Sequence, residues 1–400
     1  SGGTPLFPAH EKRDGYLRAD PGSPALVHQA AFAAADLVGT FEKTLHVAVE
    51  PALCAHSRAQ QTGCTRCLDL CPTGAIAPDG DHVTIDPMIC AGCGACSAVC
   101  PSGAVVFDAP AVADTFAALR AMSEAFRGAG GTLPRLLVHD RDHGREMIAL
   151  AARLGRGLPA DVIPFEISSL SAFGHAEMLA ALGCGFGAVS LLPGPRTERE
   201  VLQQEIKLTQ AVLEGTGRDV SAVSLVDVAD PDDLSDALYA PRPKSPPVEP
   251  ILPLGQRRDV ARLAARALTT GEQGALPLPA GAPYGAVLVD TGACTLCLSC
   301  VGLCPSGALD ANPDRPELRF KEDACLQCGI CATICPETAI TLQPQLDTSE
   351  EALKLRVLHE EEPYQCIECG AEFGVKSTVE RIVAKLENNH ALFTNSDNTR

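Results

Sequence analysis

The middle of the chain alternates short apolar runs with longer segments whose apolar residues recur every three or four positions. The apolar runs predict β-strands over residues 135–140, 161–167, 186–192 and 220–226. The periodic segments predict helices over residues 113–127, 145–154, 174–182 and 197–215. Strands that alternate with helices form parallel sheets with right-handed crossovers, so we expect a small doubly wound α/β domain at residues 109–240.

Polar and glycine positions in this central domain have structural interpretations. Thr197 and Glu200 form a capping-box pattern at the start of the last helix. The glycines of 183–187 (GCGFG) precede a strand, whereas the dinucleotide fingerprint follows one, so we interpret them as a helix C-cap. Asp140 and Asp142 follow the first strand, and we interpret them as a loop turn and a helix N-cap.

The flanking segments give weaker patterns. At the N-terminus they predict an irregular segment at 1–44 with a short helix at 24–38, followed by a strand at 43–49. After the central domain they predict a stiff proline-rich linker at 241–256 and a connector at 257–285, which opens with a helix at 256–268. A further helix is predicted at 377–387. The linker would hold the segments on its two sides at a defined separation.

Composition and charge narrow the class of protein. Apolar residues make up 46% of the 400 positions and charged residues 20%, so the chain is not disordered. The formal net charge is −18, which argues against nucleic-acid binding because phosphate contacts need clustered Lys and Arg. A partner with a basic face is the natural complement. No apolar run approaches the length of about 18 residues that would predict a membrane span.

The nineteen cysteines carry the strongest signal. They include four quartets that each end in Cys-Pro: Cys54, Cys64, Cys67 and Cys71; Cys90, Cys93, Cys96 and Cys100; Cys294, Cys297, Cys300 and Cys304; and Cys325, Cys328, Cys331 and Cys335. The last three follow C-x2-C-x2-C-x3-C-P, the bacterial ferredoxin spacing for [4Fe–4S] clusters. Structural zinc sites use separated pairs of ligands, and disulfide scaffolds belong to short secreted chains.

The spacing has a physical reason. Cysteines separated by two residues in a tight loop direct three thiolates at one cubane, and the longer final step with its proline aims the fourth at a neighbouring cluster. Gly92, Gly94 and Gly329 would let the loop backbone approach the inorganic sulfides.

The first quartet departs from this spacing, because nine residues (55–63) separate Cys54 from Cys64. Three alternatives follow: Cys54 still binds iron, His56 replaces it, or a three-ligand site holds a [3Fe–4S] cluster. We favour Cys54, since residues 47–53 repeat the strand and short turn that precede Cys294. For His56 to bind iron in place of Cys54, the loop would have to follow a different path.

Residues 48–108 and 286–343 each resemble the dicluster (8Fe) ferredoxin family, with an offset of about 230–235 residues between the two copies. The resemblance implies an α+β fold and four [4Fe–4S] clusters with crossed ligation, in domains at 45–108 and 286–345. The implied ligand sets are Cys54, Cys64, Cys67 with Cys100; Cys90, Cys93, Cys96 with Cys71; Cys294, Cys297, Cys300 with Cys335; and Cys325, Cys328, Cys331 with Cys304.

The central domain resembles, more weakly, the iron–sulfur (delta) subunit of methyl-viologen-reducing hydrogenases. The resemblance rests on residues 164–168, 180–192 and 197–214. That family passes electrons between a hydrogenase or formate dehydrogenase and a flavin-containing reductase, using a small cluster on its own cysteines. Here Cys184 is the only cysteine between residues 101 and 293, so we expect it to be a buried apolar residue and the domain to serve as spacer and docking surface.

The tail at 346–400 carries Cys366 and Cys369 in a C-x2-C-G knuckle, which is half of a zinc ribbon. His390 is the only later histidine. Either the natural chain continues to a second cysteine pair, or a partner completes the site. We favour continuation, since the sequence also begins without Met.

These features predict an electron-transfer protein in the cytoplasm. The expected partner is a low-potential oxidoreductase of the formate dehydrogenase or hydrogenase type, together with another redox carrier. No catalytic motif is recognised, which favours a non-catalytic electron-transfer subunit of an oxidoreductase system. Two alternatives remain: an accessory, maturation or docking factor for a metalloenzyme, or an oxidoreductase subunit with an unrecognised flavin or nucleotide site in the central domain.

Overall fold

The computed structural model describes residues 3–6, 15–40, 42–43, 45–108, 110–241, 248–366 and 368–389. Predictions for part of the N-terminal segment, for the middle of the proline-rich linker and for His390 lie outside the described residues. The described residues of 1–54 and 65–277 form one unit, and those of 55–64 and 278–400 form another. None of the described helices combines the length and the apolar character needed to cross a membrane.

The helices are α1 (Pro24–Ala35), α2 (Arg66–Leu70), α3 (Ala95–Ala98), α4 (Val112–Gly128), α5 (His143–Leu154), α6 (His175–Gly183), α7 (Arg199–Gly215), α8 (Pro231–Tyr239), α9 (Arg257–Leu268), α10 (Ser299–Gly302), α11 (Ile330–Ile334) and α12 (Lys376–Asn389).

The strands are β1 (Val47–Val49), β2 (Ser57–Arg58), β3 (Gln61–Thr62), β4 (Ile76–Asp79), β5 (His82–Ile85), β6 (Val105–Phe107), β7 (Arg135–Asp140), β8 (Val162–Ile167), β9 (Ala188–Leu192), β10 (Val223–Leu225), β11 (Ala275–Pro277), β12 (Gly285–Val289), β13 (Leu309–Ala311), β14 (Glu317–Phe320), β15 (Ile340–Asp347), β16 (Arg356–Glu360), β17 (Pro363–Gln365) and β18 (Glu372–Val375).

The central domain contains a parallel sheet in the order β8–β7–β9–β10. Numbered along the chain, this is the 2-1-3-4 order that doubly wound folds adopt. Leu137 and Leu192 of the sheet share a core with Met147 of α5 and Leu234 of α8. α6 is buried along its whole length, as expected for a helix of mainly Ala, Leu and Met. The predicted parallel sheet is confirmed.

Most predicted elements of this domain are present, and three details differ. The capping box at Thr197 and Glu200 is wrong, because Glu198 is the N-cap of α7 and no side chain caps it. Residues 220–222 form a 3-10 turn, which leaves a shorter last strand than predicted. The sequence analysis missed α8, although Asp230 before Pro231 is a clear start signal, and the Asp230 carboxylate accepts hydrogen bonds from the first turn.

The two dicluster regions repeat one order of elements. In the first, β1 pairs antiparallel with β6 and β4 with β5. In the second, β12 pairs antiparallel with β15 and β13 with β14. Short helices lie between these pairs, α2 and α3 in the first region and α10 and α11 in the second. This repeat places the cysteine loops at equivalent points of both regions.

Candidate metal centres

Each regular cysteine loop reverses direction through left-handed backbone on both sides of its second cysteine. Gly92 and Gly94 have φ values of 70° and 71°. The corresponding residues in the other loops are Leu296 and Leu298 at 49° and 57°, and Gln327 and Gly329 at 52° and 88°. Non-glycine residues seldom occupy this region, so the loops are held in place by their surroundings.

One loop of the second unit shares a cavity with the last cysteine of the other quartet. Cys294, Cys297, Cys300 and Cys335 line this cavity. The structure thus brings together the four cysteines of one predicted ligand set. α12 packs over this loop: the Thr378 hydroxyl donates to the carbonyl of Thr295.

The other predicted set lines a second cavity in the same unit. Cys304, Cys325, Cys328 and Cys331 line it. Each cavity therefore combines three cysteines of one quartet with the fourth of the other, which is the crossed arrangement predicted from the spacing.

Burial makes these cysteines poor thiolates by themselves. Desolvation, followed by the charges of Cys297 and Cys294, raises the pKa of Cys300 to about 12. Desolvation likewise raises the pKa of Cys328 to about 11, with contributions from Cys304, Cys325 and Cys64. Several buried thiols can ionise together only if a cation neutralises them, and iron ions do so because a coordinated thiol is deprotonated. The donor set fits iron–sulfur clusters.

Hydrogen bonds to the sulfur atoms come from residues that the sequence analysis did not identify. The side-chain amide of Gln327 donates to Cys325 Sγ at 3.4 Å and to the carbonyl of Ala286 at 3.1 Å. The backbone N–H of Ala339 donates to Cys335 Sγ at 3.3 Å. Such bonds shift the reduction potential of a cluster. A glutamine in a cysteine loop carries no sequence signal of this role.

In the first unit the loop of Cys90, Cys93 and Cys96 faces Cys71. Desolvation, together with the charges of Glu198, Cys71 and Cys90, raises the pKa of Cys93 to about 11, although a backbone hydrogen bond from Ala95 opposes the shift. The backbone N–H of Gly92 donates to Cys90 Sγ at 3.4 Å. Cys71 therefore lies within electrostatic reach of the loop to which crossed ligation assigns it.

Cys54 lies among the buried cysteines of the first dicluster region. It is buried in one apolar cluster with Cys67, Cys96 and Cys100. A 3-10 turn precedes it, and its backbone angles of −71° and 132° resemble those of Cys325, −74° and 121°, which also follows such a turn. The shared turn supports Cys54 as the counterpart of the first cysteine in a regular loop.

The nine inserted residues form a hairpin that belongs to the second unit. Strands β2 and β3 pair antiparallel, and residues 55–64 group with residues 278–400. His56 Nδ1 lies 3.0 Å from the carbonyl oxygen of Cys64, within hydrogen-bonding distance. This contact keeps His56 open as an alternative ligand.

Cys366 and Cys369 of the tail lie between β17 and β18. The backbone N–H of Gly370 donates to the carbonyl of Cys366, and the N–H of Cys366 donates to Ala371, both at 2.9 Å. Backbone hydrogen bonds from Cys369 and Glu368 lower the pKa of the Cys366 thiol. No three His, Cys, Asp or Glu side chains among the described residues are placed to hold one metal ion, so the described knuckle supplies two thiols.

The other candidate positions of the central domain have structural roles. Gly185 has a φ of 101° and its N–H donates to Leu182, while Phe186 N–H donates to Ala181; these bonds form the C-cap that was predicted for 183–187. Cys184 is fully buried, as predicted.

The two aspartates near the end of β7 differ from each other. The Asp140 carboxylate accepts a hydrogen bond from the N–H of Gly144 at 2.8 Å, which confirms a turn and capping role for Asp140. Asp142 occupies the N-cap position of α5 without a side-chain capping bond. The N-cap position predicted for Asp142 is therefore confirmed, although its side chain makes no capping hydrogen bond.

Comparison with protein families identifies both cysteine-rich regions. Residues 62–104 match a model of the 4Fe-4S dicluster domain, and residues 293–340 match a second model of the same description. A search of curated proteins gave no match to the chain. The chain therefore contains two ferredoxin-type dicluster domains that bind [4Fe–4S] clusters and support iron–sulfur electron transfer. The first match begins after Cys54.

Proposed function

We propose that the protein relays electrons through four [4Fe–4S] clusters between a low-potential oxidoreductase, of the formate dehydrogenase or hydrogenase type, and another redox carrier. The observation that carries the proposal is the pair of cavities in the second unit, each lined by three cysteines of one quartet and the fourth of the other. Such sharing places two clusters side by side, which is the arrangement for passing an electron from one to the next.

The charge of the chain supports a basic docking partner. Each oxidised cluster with four thiolates adds about two negative charges to a formal charge of −18. Opposite charges on a partner steer encounter and raise the association rate, and dissolved salt screens this attraction over a Debye length of about 10 Å at 0.1 M. Electron transfer with the correct partner should therefore slow as the salt concentration rises.

The test uses the full chain with clusters reconstituted under anaerobic conditions. Catalytic amounts of a formate dehydrogenase with formate, or of a hydrogenase with H₂, are added, and cluster reduction is followed by EPR. We expect reduction by one system and a lower rate at high salt. Clusters that accept electrons from dithionite but from neither enzyme would overturn the partner assignment. Clusters that dithionite also leaves oxidised would overturn the relay itself.

A flavin or nucleotide site in the central domain finds less support. The glycines of 183–187 form a helix C-cap, and Asp140 accepts the N–H of Gly144. Acid precipitation of the purified full chain tests this alternative, because a non-covalent flavin would be released and fluoresce.

The knuckle supports a further part of the proposal, a zinc site held by Cys366 and Cys369. Its backbone hydrogen bonds favour the thiolate at Cys366, which is the form that binds zinc. Two further ligands would have to complete the tetrahedron. The zinc content of the purified protein and of the Cys366→Ser variant tests this assignment, since the variant should lose the metal.

A further inference from the structure

The helix that carries Cys96 is packed tightly against the central domain. α3 is buried over its full length. A Cβ added at Gly94 would lie 2.7 Å from Ala172 Cβ, and one added at Gly174 would lie 3.2 Å from Ala98 Cβ. Groups of the central domain behind α3 therefore lie close to the cluster loop.

A buried ion pair contacts α3 from this side. Arg257 Nη1 donates to the carbonyl of Ser97 at 3.1 Å and to its hydroxyl oxygen at 2.7 Å. Arg257 Nε lies 2.6 Å from Glu177 Oε1, and the two side chains are 15% and 2% exposed. The Ser97 hydroxyl in turn donates to the carbonyl of Val105 at 2.9 Å.

In the Arg257–Glu177 ion pair, the cation and not the anion contacts the residue next to the predicted cluster ligand Cys96. The guanidinium bonds the residue that follows Cys96, whereas the Glu177 carboxylate faces Arg257 and accepts the N–H of Gly174 at 2.9 Å. Reduction adds one negative charge to a cluster. A nearby buried cation stabilises the reduced form, a nearby anion destabilises it, and both effects are stronger where water is excluded.

We propose that Arg257 and Glu177 set the reduction potential of the cluster predicted on Cys90, Cys93 and Cys96, so that α9 and the central domain together tune a cluster that neither of them binds. The proposal rests on the proposed function only in taking these clusters to be redox-active. Arg257 is a positioning residue, because its guanidinium bonds Ser97, the residue after the predicted ligand Cys96, and Glu177.

The experiment is an anaerobic redox titration of the full chain monitored by EPR. The Cys93→Ser variant assigns the signal, since it alters the cluster in question. We expect Arg257→Gln to shift the potential of that signal to a more negative value and Glu177→Gln to shift it to a more positive one. Arg257→Lys keeps the charge and should stay near the wild-type potential. The other three potentials should not move.

Two further variants guard against misfolding and general effects. Arg257→Gln combined with Glu177→Gln leaves no buried charge unpaired, and it should give a smaller negative shift than Arg257→Gln alone. Arg135→Gln is a matched control: Arg135 is 16% exposed and pairs with Asp161 at 2.6 Å within the central sheet, and its loss should move no potential.

The proposal is overturned if folded Arg257→Gln and the double variant titrate at the wild-type potential, or if Arg257→Lys shifts as far as Arg257→Gln. These titrations use chemical mediators and no partner. An unchanged potential in a protein that still relays electrons would therefore refute only this inference, and a shifted potential without relay would refute only the proposed function.

Discussion

Replacing Cys54 distinguishes between the three alternatives for the cluster of the first quartet: Cys54 as a ligand, His56 as a ligand, or a three-ligand site. It is buried beside Cys67 and Cys100 and follows the same kind of turn as Cys325. We expect Cys54→Ala to convert one [4Fe–4S] cluster to a three-iron or labile form, because a cubane corner without its thiolate loses iron readily. EPR of the oxidised protein detects the three-iron form.

Two further variants accompany this experiment: one is a control for the loss of a buried thiol, and the other tests His56 as the ligand. Cys184→Ala removes a thiol that is fully buried in the central domain, and its cluster content should equal that of the wild type. His56→Ala should also leave the clusters intact if Cys54 is the ligand. Intact clusters in Cys54→Ala together with iron loss in His56→Ala would assign the corner to the imidazole.

At the scale of single residues, the sequence predicted the candidate cluster ligands but did not predict the roles of the residues that surround them. The quartets are recognisable because a cluster requires several thiolates within one short loop. The roles of Gln327 and Leu298 could not be predicted, since neither residue type favours a left-handed backbone or signals a bond to sulfur. Their conformations depend on the packing of the loop.

The inserted hairpin is the element whose packing is easiest to test. Gly63 follows β3, and a Cβ placed there would lie 2.6 Å from Ile330 Cγ1 and 2.9 Å from the carbonyl oxygen of Ala55. We expect Gly63→Ala to destabilise the second unit by about 1–3 kcal/mol, the usual cost of overpacking. Urea denaturation of the cluster-loaded protein measures the change.

Gly302 provides the matched glycine for this comparison. It lies at the end of α10 in the same unit, and a Cβ there would meet nothing within 4 Å. Gly302→Ala should leave the unfolding midpoint unchanged. Equal midpoints for the two variants would show that the hairpin does not pack closely against α11.

α6 and α7 are joined by a buried ion pair. His175 Nδ1 lies 2.6 Å from Glu205 Oε2, and the backbone N–H of His175 donates to the same oxygen. Although burial by itself raises the pKa of Glu205, the charge and hydrogen bonds of His175 hold that pKa below its usual value. We expect His175→Ala to cost about 3–5 kcal/mol, because it leaves a buried carboxylate without its partner.

The pH dependence of this effect has a definite sign. A carboxyl group with a lowered pKa contributes stability above its unfolded-state pKa of about 4.3, and loses it as the pH falls through the folded value. The stability difference between wild type and His175→Ala, measured by urea denaturation, should narrow in acid. His82→Ala is the control: the His82–Asp79 pair is exposed, and its loss should cost no more than about 1 kcal/mol.

For the whole molecule the decisive quantity is iron content. Two dicluster domains with crossed ligation predict four cubanes, which correspond to about sixteen irons per chain. Anaerobic reconstitution followed by iron and sulfide analysis of the full chain measures this number. A value of about eight would mean that only two of the four predicted clusters form, and it would contradict the proposed four-cluster relay.

The sequence by itself determined the features that arise within a short stretch of chain. Cysteine spacing indicates clusters because the ligands of one loop lie a few residues apart, and apolar periodicity indicates strands and helices because each repeat stays within one element. The dicluster domains and the parallel sheet were predictable on these grounds. α8 was also within reach, since Asp230 and Pro231 mark its start.

Only the tertiary structure decided which distant segments meet. It assigned the hairpin at 55–64 to the unit of residues 278–400. It also joined Arg257 to Ser97 across 160 residues of chain. Such contacts depend on how whole elements pack and on which buried charges find partners, and no local pattern of residues records that outcome.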